Sequence, residues 1–276
     1  MKRVPTEPLA PARYDHCLVT GASAGLGWVF AEQLVARGAK LLTVVARREE
    51  RLAELATRLA AGPAGAPVEV RPVVVDLAEP DGPARLLEAL RRSGVPPVDL
   101  LVNNAGFGRY GGFMERGWED HLRMYQLNML TPAALVHALW DDFAAVPGRG
   151  VIQVASTAAF QPIPYFTSYA ATKAFLRSLS EGLWGEARPA GVRMLTLCPG
   201  PVPTEFGHVA GTNFRVRKVA TGAGTVVRQA LDAYERGRAE LIPGYTNRAL
   251  RCAVRFAPLR LLLWGAAKVA GTGRSR

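Results

Sequence analysis

The chain contains 276 residues, of which 49% are hydrophobic and 21% charged, with three cysteines and a net charge of +11. These values are ordinary for a globular chain and exclude an intrinsically disordered protein, a disulfide scaffold and a collagen-like fibre. No segment has the composition of an acidic or low-complexity tail that binds nucleic acid, so we expect no nucleic-acid partner. A compositional bias towards arginine accounts for part of the charge. Even so, seven basic residues and no acidic residue lie between Gly244 and Arg276.

Short runs rich in β-branched residues alternate with longer helical patterns along the chain. Strands are predicted over Cys17–Thr20, Leu41–Ala46, Val68–Val75, Leu100–Asn103, Val151–Ala155, Val192–Cys198 and Glu240–Ile242. Helices are predicted over Leu26–Arg37, Arg48–Ala61, Pro83–Ser93, Trp118–Val146, Ser168–Arg188 and Thr225–Arg236. This alternation predicts an α/β fold, a doubly wound parallel sheet of about seven strands with helices on both faces.

Two further expectations concern packing and domain organisation. The run VRPVVVD at residues 70–76 is nearly all apolar, which predicts a strand buried on both faces. We expect a single catalytic domain over residues 1–245, followed by a basic, apolar extension over residues 246–276.

A glycine-rich turn follows the first predicted strand, with the sequence TGASAGLG at residues 20–27. Glycines at a strand-to-helix turn let the backbone come close to a bound phosphate. The free N–H groups at the start of the helix attract its negative charge. A simple turn without a ligand has a similar composition. The segment also matches G-x-S-x-G, the nucleophile elbow of serine hydrolases, with Ser23 as nucleophile. That alternative is disfavoured because no strands precede the turn to build an oxyanion hole.

The second predicted strand ends at Arg47 and Arg48, where a site specific for NAD would place an acidic residue on the ribose 2′-hydroxyl. A guanidinium group suits a phosphate instead, because it can donate two parallel hydrogen bonds to it. The position therefore favours NADP(H) over NAD(H). The alternative is that both arginines simply occupy the solvated start of a helix.

Three side chains with complementary chemistry follow one another in the second half of the chain. Ser156 ends a predicted strand, and Tyr169 and Lys173 share one face of the helix that comes after it. A phenol can supply or accept the proton when a carbonyl and an alcohol interconvert, and a nearby ammonium group lowers the phenol's pKa. We therefore expect Lys173 to lower the pKa of Tyr169, and Ser156 to donate a hydrogen bond to the substrate oxygen.

The motif set as a whole resembles the short-chain dehydrogenase/reductase family. TGASAGLG, the NNAG run at Asn103–Gly106, Asn128, Ser156, Tyr169-x-x-x-Lys173 and Pro199-Gly200 occur in the family's order over about residues 14–245. The resemblance implies a Rossmann-like fold and an NAD(P)-dependent oxidoreductase.

The resemblance also implies a role for each matching residue. Tyr169 would be the acid and base, Ser156 would position the carbonyl, Lys173 would hold the nicotinamide ribose, and Asn128 would support a water-linked proton relay. The cofactor-binding residues implied are Gly21, Ser23, Gly25, Leu26, Gly27, Arg47, Arg48, Asp76, Leu77, Asn103, Ala105, Gly106, Tyr169, Lys173, Pro199, Gly200, Val202 and Thr204. Taken alone, Asp76 is equally well a helix cap and Asn128 a buried polar group.

The substrate pocket is expected to be apolar. Its candidate residues are Phe107, Phe160, Ile163, Tyr165, Phe166 and Phe206. They favour a small hydrophobic ketone, aldehyde or secondary alcohol, although ordinary loop packing would use the same residue types.

The remaining expectations concern location and partners. The cysteines form no C-x-x-C pair and the N-terminal segment has no apolar stretch of a signal peptide, so we expect a cytoplasmic protein. The basic, apolar C-terminal segment has two open interpretations: it lies on an anionic membrane surface, or it covers an apolar surface of its own or a partner subunit. The family resemblance implies a homo-oligomer.

Overall fold

The computed structural model describes residues 9–60, 62, 67–211 and 221–271, except the side chains of residues 208, 209 and 269–271. Its strands are β1 (His16–Thr20), β2 (Leu41–Ala46), β3 (Glu69–Val74), β4 (Leu100–Asn103), β5 (Gly150–Val154), β6 (Arg193–Leu197) and β7 (Glu240–Leu241). They form one parallel sheet of seven strands in the order β3-β2-β1-β4-β5-β6-β7. The predicted α/β fold with a doubly wound parallel sheet is therefore confirmed.

The helices connect successive strands and cover the sheet. They are α1 (Gly25–Ala36), α2 (Glu49–Leu59), α3 (Gly82–Arg92), α4 (Trp118–Tyr125), α5 (Thr131–Ala138), α6 (Trp140–Ala145), α7 (Thr167–Ala187), α8 (Phe206–Val209), α9 (Ala223–Glu235), α10 (Tyr245–Phe256) and α11 (Leu259–Gly271). Short 3₁₀ turns cover Phe113–Glu115, Thr157–Phe160 and Arg188–Ala190, and a π-helical turn covers Gln126–Leu130.

Each face of the sheet carries its own apolar core. On one face, α1 and α9 contribute fully buried side chains such as Phe30, Leu34 and Tyr234. On the other face, α3, α5 and α6 contribute Leu86, Leu135 and Phe143. Burial on both sides accounts for the unbroken apolar sequences of the central strands. A sheet held rigid in this way fixes the positions of the loops at its carboxyl edge.

The prediction that the strand at VRPVVVD is buried on both faces is wrong. β3 lies at the edge of the sheet and pairs only with β2, and its residues are only partly buried, with Val74 46% exposed. Pro72 fits this position, because an edge strand tolerates a residue that has no N–H to donate. The apolar composition of a strand therefore did not reveal how many neighbours it has.

The helix predicted over Trp118–Val146 is interrupted. Pro132 has no N–H to donate to the carbonyl of Asn128 four residues earlier, and at this point the backbone widens into the π turn, where the Thr131 N–H bonds the Gln126 carbonyl. A second break at Leu139 separates α5 from α6. The first break places Asn128 on the widened turn.

The two C-terminal helices differ in how they attach to the sheet. The Arg251 guanidinium of α10 lies 2.6 Å from the Glu240 carboxylate of β7, and Asn247 and Val254 are buried. No residue of α11 belongs to the apolar cores formed by the described residues. None of the helices in the described ranges has the length and apolar character needed to cross a membrane.

Candidate active site

The candidate site lies at the carboxyl edge of the sheet, where β1 and β4 adjoin and the strand order reverses. Parallel α/β sheets form a crevice at this point, because neighbouring connections leave on opposite faces. The glycine-rich turn follows β1, the NNAG run begins at the end of β4, and Ser156 follows β5. Residues far apart in sequence are therefore brought to one edge.

The glycine-rich turn is packed too closely for side chains. Gly21 has φ +67°, and a Cβ added there would lie 2.8 Å from the Ala105 Cα. A Cβ on Gly27 would lie 2.2 Å from the Gly21 carbonyl oxygen. At the start of α1, Ala24 has no side-chain acceptor to cap the first-turn N–H groups, and no acidic residue lies in that turn. The turn therefore presents backbone donors on a surface that an anion can approach closely.

Asn104 and Thr20 hold this turn against the loop after β4, and the sequence argument missed both. The Thr20 hydroxyl accepts hydrogen bonds from the Asn104 and Ala105 N–H groups at 3.0 Å each. The Asn104 amide donates to the Thr20 and Gly21 carbonyls at 3.0 and 3.2 Å. The second asparagine of the NNAG run was the available signal. Its neighbour Asn103 points away instead, donating to the buried Pro132 carbonyl at 3.2 Å.

Two arginines contact Ser23 beside this turn, and a third follows β2 nearby in sequence. Arg48 donates to the Ser23 hydroxyl at 3.1 Å and pairs with Glu205 at 2.9 Å. Arg51, which sequence reasoning missed, lies over the Trp28 ring, 4.7 Å from its centroid, and donates to the Ser23 carbonyl at 3.4 Å. The side chain of Arg47 is 68% exposed. Arg48 is therefore held by Ser23 and Glu205, while the more exposed Arg47 lies at the rim, 3.5 Å from the Asp76 carboxylate.

Asp76 and Leu77, after β3, are tied into the protein. The Asp76 carboxylate accepts from the Ala78 N–H at 2.9 Å and pairs with Arg123 at 2.8 Å and Arg47 at 3.5 Å. Partial burial opposes its ionisation, but these groups outweigh it and lower the pKa of Asp76. The Leu77 side chain is buried, and its carbonyl accepts from the Thr131 hydroxyl at 2.7 Å.

Ser156, Tyr169 and Lys173 meet where β5 ends and α7 begins. The Tyr169 phenol is buried and hydrogen-bonded with the Ser156 hydroxyl, which also accepts from the Ala158 N–H at 3.1 Å. The Lys173 ammonium donates to the Val154 carbonyl at 2.8 Å and lies 5.8 Å from the centroid of the Tyr169 ring. Strand end and helix start thus place hydroxyl, phenol and ammonium in one small volume.

The acid–base properties of these residues are set mainly by burial. Burial raises the pKa of Tyr169 to about 12, with the Ser156 hydrogen bond acting in the opposite direction. Burial lowers the pKa of Lys173 to about 8. Burial therefore leaves the net pKa of Tyr169 above that of an ordinary tyrosine, while the effect of Lys173 on it stays a prediction.

Asn128 connects the loop after β4 to α7. Its amide donates to the Phe107 carbonyl at 2.9 Å and to the Thr172 hydroxyl at 3.1 Å, and its oxygen accepts from the Phe107 N–H at 3.1 Å. A Cβ on Gly106 would lie 3.0 Å from the Asn128 oxygen and 3.4 Å from the Lys173 ammonium. Asn128 therefore positions the backbone that adjoins Lys173.

Most of the predicted substrate residues gather around the Tyr169 ring in an apolar cluster. The Phe166 and Phe206 ring centroids lie 4.5 and 5.3 Å from that of Tyr169, and Phe107 and Ile163 pack beside them. Tyr165 is at the margin, 37% exposed and with a φ of +64°. Phe160 is elsewhere. It packs with Ala155, Cys198 and Ile242, and its ring faces the guanidinium groups of Arg177 and Arg251 at 4.9 and 5.4 Å.

The segment after β6 closes the site from the other side. The Pro199 carbonyl accepts from the Thr157 N–H at 2.9 Å, which ties the segment to the turn beginning at Ser156. A Cβ on Gly25 would lie 3.3 Å from the Thr204 side chain. Val202 packs against the α1 and α9 core.

Asn247 of α10 supports this segment and was also missed by sequence reasoning. A Cβ on Gly200 would lie 2.5 Å from the Asn247 amide nitrogen, which donates to the Pro243 carbonyl at 2.7 Å. No sequence signal pointed to Asn247, because it lies outside the motif set.

Comparison with known proteins identifies the family. The family model described as short chain dehydrogenase matches residues 15–213. This chain belongs to the short-chain dehydrogenase family. The family resemblance that the motif set indicated is thereby confirmed.

Several relatives of this short-chain dehydrogenase cover most of its length. A short chain dehydrogenase of Pseudocercospora fijiensis is 31% identical over 207 residues, 72% of this chain and 65% of that protein, so the chain spans just under two thirds of this relative. A short-chain dehydrogenase from Sphingobium yanoikuyae in complex with NADPH has a TM-score of 0.78 and 29% identity, covering 95% and 96% of the two chains. A bulky-bulky ketone specific alcohol dehydrogenase from Comamonas testosteroni has a TM-score of 0.72 and 26% identity, covering 90% and 95%.

The geometry of this short-chain dehydrogenase does not favour the hydrolase alternative. The Ser23 hydroxyl is bonded by Arg48, whereas His121 bonds Ser168 at 2.8 Å and His16 bonds Thr43 at 2.9 Å. Within the described residues, no histidine is hydrogen-bonded to Ser23 to act as its base. Nor does this part of the chain bring three or more His, Cys, Asp or Glu side chains together as metal ligands.

Proposed function

We propose that this protein is an NADP(H)-dependent oxidoreductase that interconverts hydrophobic ketones or aldehydes and their alcohols, with Tyr169 as the proton donor and acceptor. The observation that carries the proposal is the buried Tyr169 phenol, hydrogen-bonded with Ser156, one helical turn from Lys173 and surrounded by aromatic side chains. Asn128 holds the adjoining backbone in place.

The residues at the sheet edge fit a dinucleotide. The cradle at Gly21 and Gly27 has no room for a Cβ, and the first turn of α1 offers uncapped N–H groups to a pyrophosphate. Ser23, Gly25 and Leu26 complete this turn, and Ala105 and Gly106 lie across from it. The loop carrying Pro199, Gly200, Val202 and Thr204 would hold the nicotinamide end. When bound, the cofactor supplies or accepts the hydride.

The choice of NADP(H) over NAD(H) rests on Arg47 and its surroundings. Arg47 follows β2 with a side chain that is 68% exposed and 3.5 Å from the Asp76 carboxylate, and Arg48 and Arg51, which pair with Glu205 and Glu54, lie on the same rim. A 2′-phosphate there would form an ion pair and two parallel hydrogen bonds with the guanidinium, whereas a neutral 2′-hydroxyl could accept only a weaker single hydrogen bond. The structural neighbour solved with NADPH supports this choice.

Tyr169 is suited to the reduction of a carbonyl. With a pKa of about 12, all but about one phenol in 10⁵ is protonated at pH 7. As hydride reaches the carbonyl carbon, the Tyr169 O–H would give its proton to the carbonyl oxygen. The Ser156 hydroxyl would donate a hydrogen bond to the same oxygen as charge develops on it. The Lys173 ammonium would stabilise the phenolate left behind.

The aromatic cluster around Tyr169 supports a hydrophobic substrate. Phe107, Ile163, Phe166 and Phe206 surround the phenol with apolar surface, and burial of an apolar substrate there gains roughly 25 cal/mol per Å². The similar alcohol dehydrogenase is specific for bulky-bulky ketones by its name. We place Phe160 outside this pocket and Tyr165 at its mouth.

The test is NADPH oxidation with a panel of bulky ketones and small polar ones, followed for the parent protein and Tyr169→Phe. Bulky ketones are expected to be reduced faster, and Tyr169→Phe to lose at least about 10²-fold in kcat. The matched control is Tyr234→Phe. Tyr234 is also fully buried, but its hydroxyl has no hydrogen-bond partner in the described part of the chain, so its loss is expected to leave kcat unchanged. Equal activity of the parent and Tyr169→Phe would refute the proposal.

A further inference from the structure

The outward surface of α10 and α11 is apolar and basic at the same time. A helix at the surface of a globular protein usually turns its apolar side inward and its polar side to water. In the C-terminal helices, large apolar side chains face outward. We call this surface, formed by residues 245–268, the C-terminal face.

The inner and outer sides of α10 are clearly distinguished. Asn247 and Val254 are buried, and Arg251 pairs with Glu240. On the opposite side Tyr245 is 77% and Phe256 is 83% exposed. Ala249 and Cys252, which are also exposed, lie between these aromatic residues at helical spacing, so the four residues form one apolar stripe.

The apolar surface continues on α11. Leu259, Leu261 and Trp264 are 60%, 62% and 65% exposed. Arg260 and Lys268 lie one turn before and one turn after Trp264, and the Lys268 ammonium is 5.0 Å from the centroid of the indole ring. Trp264 is therefore flanked by cations on an outward-facing row.

The charges on this face have one sign. Arg248, Arg255, Arg260 and Lys268 are exposed, and none forms an ion pair with another described residue. The sequence from Gly244 to Arg276 contains no acidic residue; Arg274 and Arg276 lie outside the described residues. A second copy of this chain, at +11, would on average present like charge to this face. An anionic bilayer offers opposite charge and an apolar interior together.

We propose that the C-terminal face binds the surface of an anionic lipid bilayer, with its exposed aromatic and leucine side chains in the interfacial region. The apolar side chains and the basic side chains of this face are both needed, since stable attachment to a membrane normally combines an apolar anchor with a basic patch. Tryptophan and tyrosine favour this interfacial region, and each basic residue near an anionic surface strengthens binding by about fivefold. α10 carries this face while remaining fixed to β7, so attachment would hold the catalytic domain at the membrane.

The test is co-sedimentation of the full chain with phosphatidylcholine vesicles, with and without phosphatidylserine. The parent protein is expected to bind only the vesicles that contain phosphatidylserine, and less at high salt because the charges are screened. Replacing Arg255, Arg260 and Lys268 with Gln should weaken binding by about 10²-fold. The double change Phe256→Ser and Trp264→Ser should weaken it at least about tenfold.

Matched controls separate this face from general surface properties. The control for charge replaces Arg85, Arg91 and Arg92 of α3 with Gln, which removes three positive charges from another exposed surface. The control for apolar surface is the double change Met114→Ser and Trp118→Ser, whose side chains are 89% and 59% exposed. Both controls should bind vesicles like the parent, and all variants should keep NADPH oxidation.

Three results would overturn the proposal. The first is no binding to phosphatidylserine vesicles, and the second is an equal loss in the α3 control. The third is a protein that ignores vesicles but self-associates through the C-terminal face, which would mean that a second copy covers it.

Discussion

Replacement of Lys173 by Met is predicted to stabilise the protein. Lys173 is buried, and its pKa falls from 10.5 to about 8, which means that the folded state disfavours its charge. At about 1.4 kcal/mol per pKa unit, the charged side chain costs the folded state about 3 kcal/mol at neutral pH. Loss of the Lys173 hydrogen bond to the Val154 carbonyl offsets about 1 kcal/mol of that gain. The net increase in unfolding free energy is about 2 kcal/mol, or roughly 4–8 °C in Tm.

The pH dependence of this gain gives a sharper test. The unfolded lysine keeps its proton up to about pH 10.5 and the folded one only to about pH 8, so between these values the unfolded state binds more protons and the parent gains stability as pH rises. The advantage of Lys173→Met should therefore be full below pH 8 and disappear towards pH 10.5.

The assay is urea unfolding of both proteins without nucleotide, from pH 7 to 10. Lys40→Met is the control, because the Lys40 side chain is 78% exposed and pairs with Asp15 only at the surface, where an ion pair contributes little. A destabilised Lys173→Met protein, or a difference that does not change with pH, would refute the reasoning. The variant is also expected to lose activity, since functional groups are often kept at a cost in stability.

Three further changes test the support of the candidate site. Arg47→Leu should raise the Kd for NADPH by about 10- to 100-fold and leave the Kd for NADH unchanged. Fluorescence titration measures both constants, with the distant Arg91→Leu variant as control. An equal loss of affinity for both nucleotides would contradict the assignment of Arg47. Asn104→Leu should lower the free energy of unfolding by about 1–3 kcal/mol and weaken the binding of NADPH and NADH together, because the glycine-rich turn loses two hydrogen bonds. Unchanged binding of both nucleotides would show that the Asn104 hydrogen bonds are not needed to hold the turn. Asn247→Leu should raise the KM for NADPH more than it lowers kcat, because the leucine side chain would clash with the Gly200 backbone. An unchanged KM would show that Asn247 does not position the loop that contains Gly200.

The order of the elements was predictable because local patterns determine it. Buried strands such as β2 and β4 begin and end at the residues expected from their apolar runs. The motifs that follow the strands reached the same edge of the sheet because all strands are parallel. Contacts set by distant packing were not predictable. The apolar run of β3 did not show that it has one neighbour, although Pro72 was an available signal for an edge strand, and nothing in Phe160 shows that two arginines face its ring.

In the candidate site too, the residue types could be predicted from the sequence, whereas their surroundings in the folded chain could not. The residue types at Ser156, Tyr169 and Lys173 suggested the chemistry, but the pKa of Tyr169 depends on burial that only the folded chain supplies. Asn247 lies far from every motif and reaches Gly200 only because α10 packs beside the segment after β6.

A single-turnover measurement tests the central claim most directly. The protein is loaded with NADPH and mixed with a bulky ketone, and the decay of NADPH absorbance is followed for the parent and Tyr169→Phe. The account predicts that both bind NADPH with similar affinity and that only the parent oxidises it at a substantial rate. Comparable NADPH oxidation by Tyr169→Phe would contradict the role assigned to Tyr169.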